Sequence, residues 1–322
     1  MRLRLVPDET HIDFFKYRYA TFGVSVVAMI ASLILWLTVG LNFGIDFRGG
    51  TTLRTESSVA VDVGAYRDAM QPLNLGDVSI SEVFDPSFGP DKHVAMIRVQ
   101  AQDGQESVAT DTVNRIEAAL QQVDSTIRFT SVESVGPKVS GELIQTAFIA
   151  VGVSLAAILF YIWLRFEWQF SVGAVAALFH DVLLTVGIFS LLQIRFDLAT
   201  IAALLTIIGY SINDTVVIFD RLRENLRKYK TMPLQDVMNL SVNETLSRTL
   251  MTSGTTLMAL IALLVLGGDV IRGFVFAITW GVVVGTYSSV YVAKNIVLWL
   301  GVKRDWTKPD ANKGNQFANI DA

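Results

Sequence analysis

Two charged residues, Asp214 and Arg248, interrupt runs of apolar and hydroxyl-bearing sequence, and the pair His180-Asp181 interrupts a third. An ionisable group near the centre of a membrane-crossing segment costs about 2.5–3.5 kcal/mol on insertion scales, so it is expected to face a bundle interior, a water path or a partner charge. A carboxylate so placed can take up and release a proton, and an arginine facing it favours the charged form. Tyr210 and Ser211, at i−4 and i−3, share the face of Asp214, next to Asn213. Thr252, Thr255 and Thr256 continue a stripe beyond Arg248, and two such stripes face to face would hold water. Thr185 follows Asp181 by one helical turn. Other chemistries are excluded. The chain has no cysteine, its histidines (His11, His93, His180) are too scattered for a metal cluster, and no G-x-x-x-x-G-K-[ST] loop is present to hold a nucleotide.

The elements that must position these residues are hydrophobic spans. Of the 322 residues, 52% are hydrophobic and only 17% charged, a balance foreign to one water-soluble domain. Stretches long enough to cross the hydrocarbon core fall at residues 19–41, 143–164, 168–192, 198–219, 249–266 and 273–300. The first is preceded by Arg2, Arg4, Lys16 and Arg18, but its apolar run exceeds that of a cleaved signal, so it reads as a retained anchor. At 1.5 Å per residue, Asp214 lies about 24 Å and Arg248 about 27 Å below the outer boundary, so the two are expected to meet if spans four and five are neighbours.

Residues 42–142 hold 15 acidic and 8 basic residues, an acidic block unlike the spans around it. Lysine and arginine gather in residues 1–18, at Arg165, in an expected loop at 220–248 and in the tail 301–322, whereas the short loops on the other side hold only Arg195 and Arg272. The positive-inside rule therefore places both termini in the cytoplasm and exports residues 42–142. The basic run from Arg221 to Lys230 is short and adjoins a span, so topology or anionic lipid explains it better than nucleic acid. Inside the exported block, alternating and helical periods predict a strand at 51–55, a helix at 61–73, strands at 77–84 and 93–101, a helix at 107–123 and a strand at 126–132. A turn at Asp85, Pro86, Gly89 and Pro90 joins the middle strands. This β-α-β-β-α-β order predicts a ferredoxin-like α+β domain, a fold too widely used to identify an activity.

The residues alone leave several readings open. Asp214 and Arg248 form either a static pair gluing helices together or a titrating pair, and His180 with Asp181 serves either packing or proton access. Asp220 and Arg221 read as a solvated boundary. Gly281-x-x-x-Gly285-x-x-x-Ser289 is a small-residue ridge for close packing, within the chain or against a partner. Gly44-Ile45-Asp46-Phe47-Arg48-Gly49-Gly50-Thr51 reads structurally as a glycine-rich membrane exit with Asp46 and Arg48 placed for local pairing.

That last run resembles the signature of the SecD/SecF protein-export family. Val135-Gly136-Pro137, Phe179-His180-Asp181-Val182, Ile208-Gly209-Tyr210-Ser211-Ile212-Asn213-Asp214, Leu246-Ser247-Arg248-Thr249 and Thr252-Ser253-Gly254-Thr255-Thr256 resemble further stretches of the family in the same order. Six spans and a short exported domain favour its SecF branch over the larger SecD. The resemblance implies a polytopic α-helical protein of the bacterial inner membrane, an RND-like half whose periplasmic domain lies between helices 1 and 2. It implies Gly44, Asp46, Arg48, Gly49 and Gly50 as a family motif, and Asp214 and Arg248 as a proton-coupling pair. Protons are then the coupling ion, with no other cofactor and no covalent catalysis. The implied partners are SecD, the SecYEG channel with the SecA ATPase, YajC, YidC and the translocating polypeptide. Two other readings stand beside it: half of an RND-type exporter of lipids or small molecules, and a passive assembly subunit.

Overall fold

A computed structural model describes residues 10–76, 78–83, 92–100 and 110–302. The expected turn at residues 85–90 and the tail beyond 302 lie outside the described residues. Among the described residues six helices are long and apolar enough to cross a membrane. They are α1 (Arg18–Thr38), α5 (Pro137–Arg165), α6 (Trp168–Leu192), α7 (Leu198–Lys228), α8 (Leu234–Leu266), and a last span in which α9 (Asp269–Ser288), a π-helical turn (Ser289–Ala293) and α10 (Lys294–Leu300) follow without a break. The chain is a multi-pass membrane protein.

Between α1 and α5 come β1 (Asn42–Phe43), α2 (Ile45–Arg48), β2 (Gly50–Ser57), α3 (Val63–Met70), β3 (Val78–Val83), β4 (His93–Gln100), α4 (Thr110–Gln121) and β5 (Arg128–Val135). The four longer strands form one antiparallel sheet in the order β3-β4-β2-β5. The first strand thus lies between the third and fourth, so each β-α-β unit is split by a strand from the other, as the sequence periods predict. Leu53, Ala95, Ile97 and Val99 of the sheet pack on Tyr66 and Met70 of α3 and Ile116 and Leu120 of α4 in one closed core. The helices therefore cover a single face, and the other face, with Thr52, Arg54 and Glu133, looks toward the membrane rim near Arg195 and Asp197.

Two expectations change, and one left open is decided. Residues 220–248, anticipated as a loop, are mostly helix: α7 runs to Lys228 and α8 starts at Leu234, leaving a turn of five residues. These extensions bury Leu222, Leu226, Val237 and Met238 against Phe166 and Phe219, and so follow an amphipathic period that hydropathy alone does not register. The second span begins at Pro137, ahead of residue 143, because Gly136 closes β5 and proline suits the first helical turn. The ridge at Gly281 and Gly285 packs within this chain. A Cβ on Gly281 would overlap the Ile207 side chain, and one on Gly285 would lie 3.1 Å from Ser211, so it is the absence of side chains that lets α9 approach α7 closely.

Candidate functional site

The site is built on α6, α7, α8 and α9. The start of α7 is fixed by its N-cap, Asp197, which accepts from the Thr200 backbone N–H at 2.9 Å while the Thr200 hydroxyl accepts from the Asp197 N–H. From that fixed end α7 delivers Ser211 and Asp214 to the bundle interior, 1% and 2% exposed. The close α7–α9 contact brings Ser288 to the same place.

At its centre Asp181 of α6 accepts on one oxygen, Oδ2, from Ser211 Oγ at 2.6 Å and Ser288 Oγ at 2.8 Å. Its other oxygen, Oδ1, lies 2.9 Å from His180 Nδ1. The two hydroxyl protons suit a carboxylate oxygen, and the His180 contact suits either imidazole donation or a proton held on Asp181. The Thr185 hydroxyl bonds the Asp181 backbone carbonyl instead of the carboxylate. The His180 ring stacks on Tyr287 at 6.1 Å between centroids. Tyr287 donates to the Thr21 carbonyl of α1 and accepts from Ser25. Hydrogen bonds and this one ring stack thus link α1 to α7 across the bundle, and of these groups only His180 Nε2 is buried without a partner among the described residues.

Asp214 lies one turn beyond Ser211 in different surroundings. Its Oδ2 is buried with no hydrogen-bond partner among the described residues. Arg248, expected to meet it, is exposed on α8 yet near enough to act on Asp214 electrostatically, with Ser253 beside the carboxylate, but no ion pair within 4 Å joins Arg248 to it. The helices are neighbours as anticipated, but α8 is rotated so that Thr249 and Ser253, not Arg248, face inward. The hydroxyl stripes are corrected in the same way. Thr252 and Thr255 bond carbonyls of their own helix, Asn213 and Thr255 are exposed, and Ser211 faces Asp181. What joins α8 to α9 is Ser253, which the sequence reading missed, 2.8 Å from Thr286. Tyr210 reaches Ser253 and Thr256 only at 3.4 and 3.5 Å, at the weak end of hydrogen bonding.

A second missed residue is Lys294, directly after the π-helical turn and 1% exposed. Its ammonium sits 3.7 Å from the centroid of the Phe15 ring, with Phe14 and Tyr291 at 5.3 and 5.7 Å, and has no hydrogen-bond acceptor among the described residues. The aromatic faces supply cation–π attraction, and Asp13 is the carboxylate that acts on it electrostatically. The sequence signal was a lysine inside the last apolar run. It reads as an interfacial residue unless residues 10–17 are known to fold over it, as they do through Asn239 and Asn243.

The Gly44–Thr51 run binds the β-sheet domain to the membrane rim. Its amide at Gly44 donates to the Phe196 carbonyl at 2.8 Å, extending a short parallel pair of β1 with β6 (Arg195–Phe196). Asp46 does not pair with Arg48. Its Oδ2 accepts from the Leu198 backbone N–H at 3.1 Å, at the exposed end of α7. Ser140 of α5 donates to the Ile45 carbonyl. Gly49 and Gly50, at φ 71° and 135°, turn the chain from α2 into β2 through conformations that side chains resist.

Residues 115–303 match the family model for the protein export membrane protein SecD/SecF, C-terminal region, and residues 34–61 match that of the SecD/SecF GG motif. The chain is 68% identical to a protein translocase subunit SecF of Cereibacter sphaeroides, covering all of this chain and 99% of that one. It is 38% identical to a protein translocase subunit SecDF of Brucella abortus, covering 94% of this chain and 39% of that longer protein. The solved structure of SecDF from Thermus thermophilus, a translocon-associated membrane protein, superposes on 93% of this chain and 40% of its own with a TM-score of 0.82 at 33% identity. The chain therefore belongs to the SecD/SecF protein-export family, in its SecF branch.

Proposed function

We propose that this subunit, paired with SecD, uses the proton motive force to promote late-stage translocation of polypeptides emerging from the SecYEG channel and its SecA ATPase. One observation carries the reading: Asp214 is buried in the middle of a span with an oxygen left unpartnered, while Asp181, a turn away across the α6–α7 contact, has both oxygens engaged. A carboxylate locked in its contacts glues helices; one with a vacant acceptor responds to a proton or a new donor. Arg248 is the arriving donor. In this subunit alone it is exposed on α8, within electrostatic reach of Asp214 but not bonded to it, and a rearrangement of α8 against α7 closes that gap. Protonation of Asp214 removes the attraction that draws it in.

A proton crossing 100 mV supplies about 2.3 kcal/mol, which shifts a two-state equilibrium by about fiftyfold. The Asp46 and Gly44 contacts transmit such a shift, because they tie the start of α7 directly to the β-sheet domain. With the termini cytoplasmic, that domain faces the emerging polypeptide, and the chemistry involves no covalent step. SecD is the fitting partner because relatives carry both parts in one chain, and its helices would cover the outward face of α8. The test is reconstitution of channel, ATPase, SecD and this subunit in sealed vesicles with an imposed gradient. Gradient-stimulated translocation should vanish with Asp214→Asn at normal abundance, and persistence at the wild-type level rejects the reading.

A further inference from the structure

Two cavities meet beneath the glycine-rich run and share Phe43 and Arg48 in their walls. The lower one, about 450 Å³, opens between α1, α5 and α6. Trp36, Phe148, Val151, Phe179 and Val186 line it, and Phe148 and Phe179 keep 75% and 63% of their surface exposed. The upper one, about 290 Å³, lies between α2 and the edge of the β-sheet. Among the described residues its charged lining is Arg48 and Arg98, beside Asn42 and Ser79, without a carboxylate. Among the described residues nothing accepts a hydrogen bond from the Arg48 side chain.

The geometry points to a binding site for an anionic phospholipid of the leaflet that the β-sheet domain faces, with an acyl chain in the apolar groove and the phosphate diester above it at Arg48 and Arg98. The shape and the charge each require this class of ligand. An apolar groove alone accepts any lipid tail or a partner helix, and a cationic cavity alone accepts any small anion. Joined at one arginine and one aromatic ring, they fit a molecule that is apolar at one end and anionic at the other. Guanidinium groups suit phosphate because their planar donor array matches its oxygens. Since α2 also ties the sheet to the start of α7, a lipid held here would brace the same joint from below. The inference does not depend on proton coupling.

The test uses the purified full chain in detergent with diazirine-bearing phosphatidylglycerol or phosphatidylcholine of the same chain length, irradiated and mapped by mass spectrometry. Adducts should fall within residues 144–151 and 179–186, with phosphatidylglycerol favoured about tenfold, as expected when arginines meet an anionic headgroup. Arg48→Gln should abolish the headgroup preference while weak labelling persists, and Ala147→Trp should fill the groove and suppress labelling by both lipids at an unchanged melting temperature. Adducts elsewhere, equal labelling in wild type and both variants, or competition by inorganic phosphate without groove adducts would each overturn the proposal, the last by showing a free-anion site alone. Protection of the groove by a copurifying protein would do the same in favour of a partner helix.

Discussion

Ser211 on α7 donates a 2.6 Å hydrogen bond to Asp181 on α6, and Ser288 on α9 donates to the same oxygen, so one carboxylate fastens three spans. Hydrogen bonds to a charged acceptor contribute about 1.5–3 kcal/mol each. Ser211→Ala should therefore lower the melting midpoint in detergent clearly, and Ser288→Ala should do so similarly. Because both hydroxyls serve one oxygen, either alone still satisfies it, and the double variant, which leaves that buried oxygen without a donor, should lose more than the sum of the two. Strict additivity in a double-mutant cycle would show that they act independently.

Asp46 accepts from the first backbone amide of α7, and helix-start acceptors of this kind are worth about 0.5–2 kcal/mol. Asp46→Ala should loosen the joint between the sheet domain and the rim, visible as faster hydrogen exchange at residues 44–50 and 196–200. Asp46→Asn keeps an acceptor oxygen and should change exchange much less. Equal effects of the two would mean that the negative charge matters more than the bond.

Gly281 has Ile207 where a side chain would stand. Overpacking a close contact costs about 1–3 kcal/mol, so Gly281→Val should reduce folded yield, and Gly281→Ala should do so to a smaller degree. If the ridge met a partner subunit instead, both variants would fold normally alone and lose only assembly, which separation by size with and without SecD would reveal.

The sheet domain was legible in the sequence because its periods are local. Ala95, Ile97 and Val99 at every second position of β4, or Val113, Ile116 and Leu120 on α4, carry the fold without help from distant residues. Asp214 was legible for a different reason, since an acid in an apolar run stands out by composition alone. The rotation of α8 was not legible. Arg248 and Thr252 share one stripe of the helix and Ser253 lies on the next, and which stripe faces α7 depends on packing against α9 through Ser253 and Thr286. The Asp46–Leu198 bond joins positions 152 residues apart, and the β1–β6 pair is only two residues long, too short for any periodic signal. Lys294 was hidden because its burial comes from a segment near the other end of the chain.

Orientation rests on the lysine and arginine asymmetry. Single cysteines at Gln122, exposed after α4, and at Lys228, exposed at the end of α7, offer a test. In intact spheroplasts an impermeant maleimide should label Gln122→Cys and leave Lys228→Cys unmodified until the membrane is opened. The reverse pattern would invert the topology.

Asp181 and Asp214 are both buried aspartates near the same turn of the bundle, and the same substitution should affect them differently. In Asp181→Asn the side chain keeps one acceptor oxygen but gains two donors, one of which must face either His180 Nδ1 or the two serine hydroxyls. The network is then partly unsatisfied, and buried unsatisfied groups cost about 1–3 kcal/mol. Abundance and melting temperature should fall, and translocation should fall with them whether or not a gradient is imposed. Asp214→Asn breaks no existing bond at Oδ2, which has no partner among the described residues, so stability and SecD copurification should be close to wild type. What it removes is the ability to change charge, so the loss should be confined to the increment that the proton gradient adds. Arg248→Lys should lie between, because a lysine brings charge but not the two-pronged donor geometry of a guanidinium. The ratio of gradient-driven to gradient-independent translocation, measured at matched protein abundance, separates the two aspartates. If Asp181→Asn lowers that ratio while Asp214→Asn lowers only abundance, the roles assigned to them are exchanged.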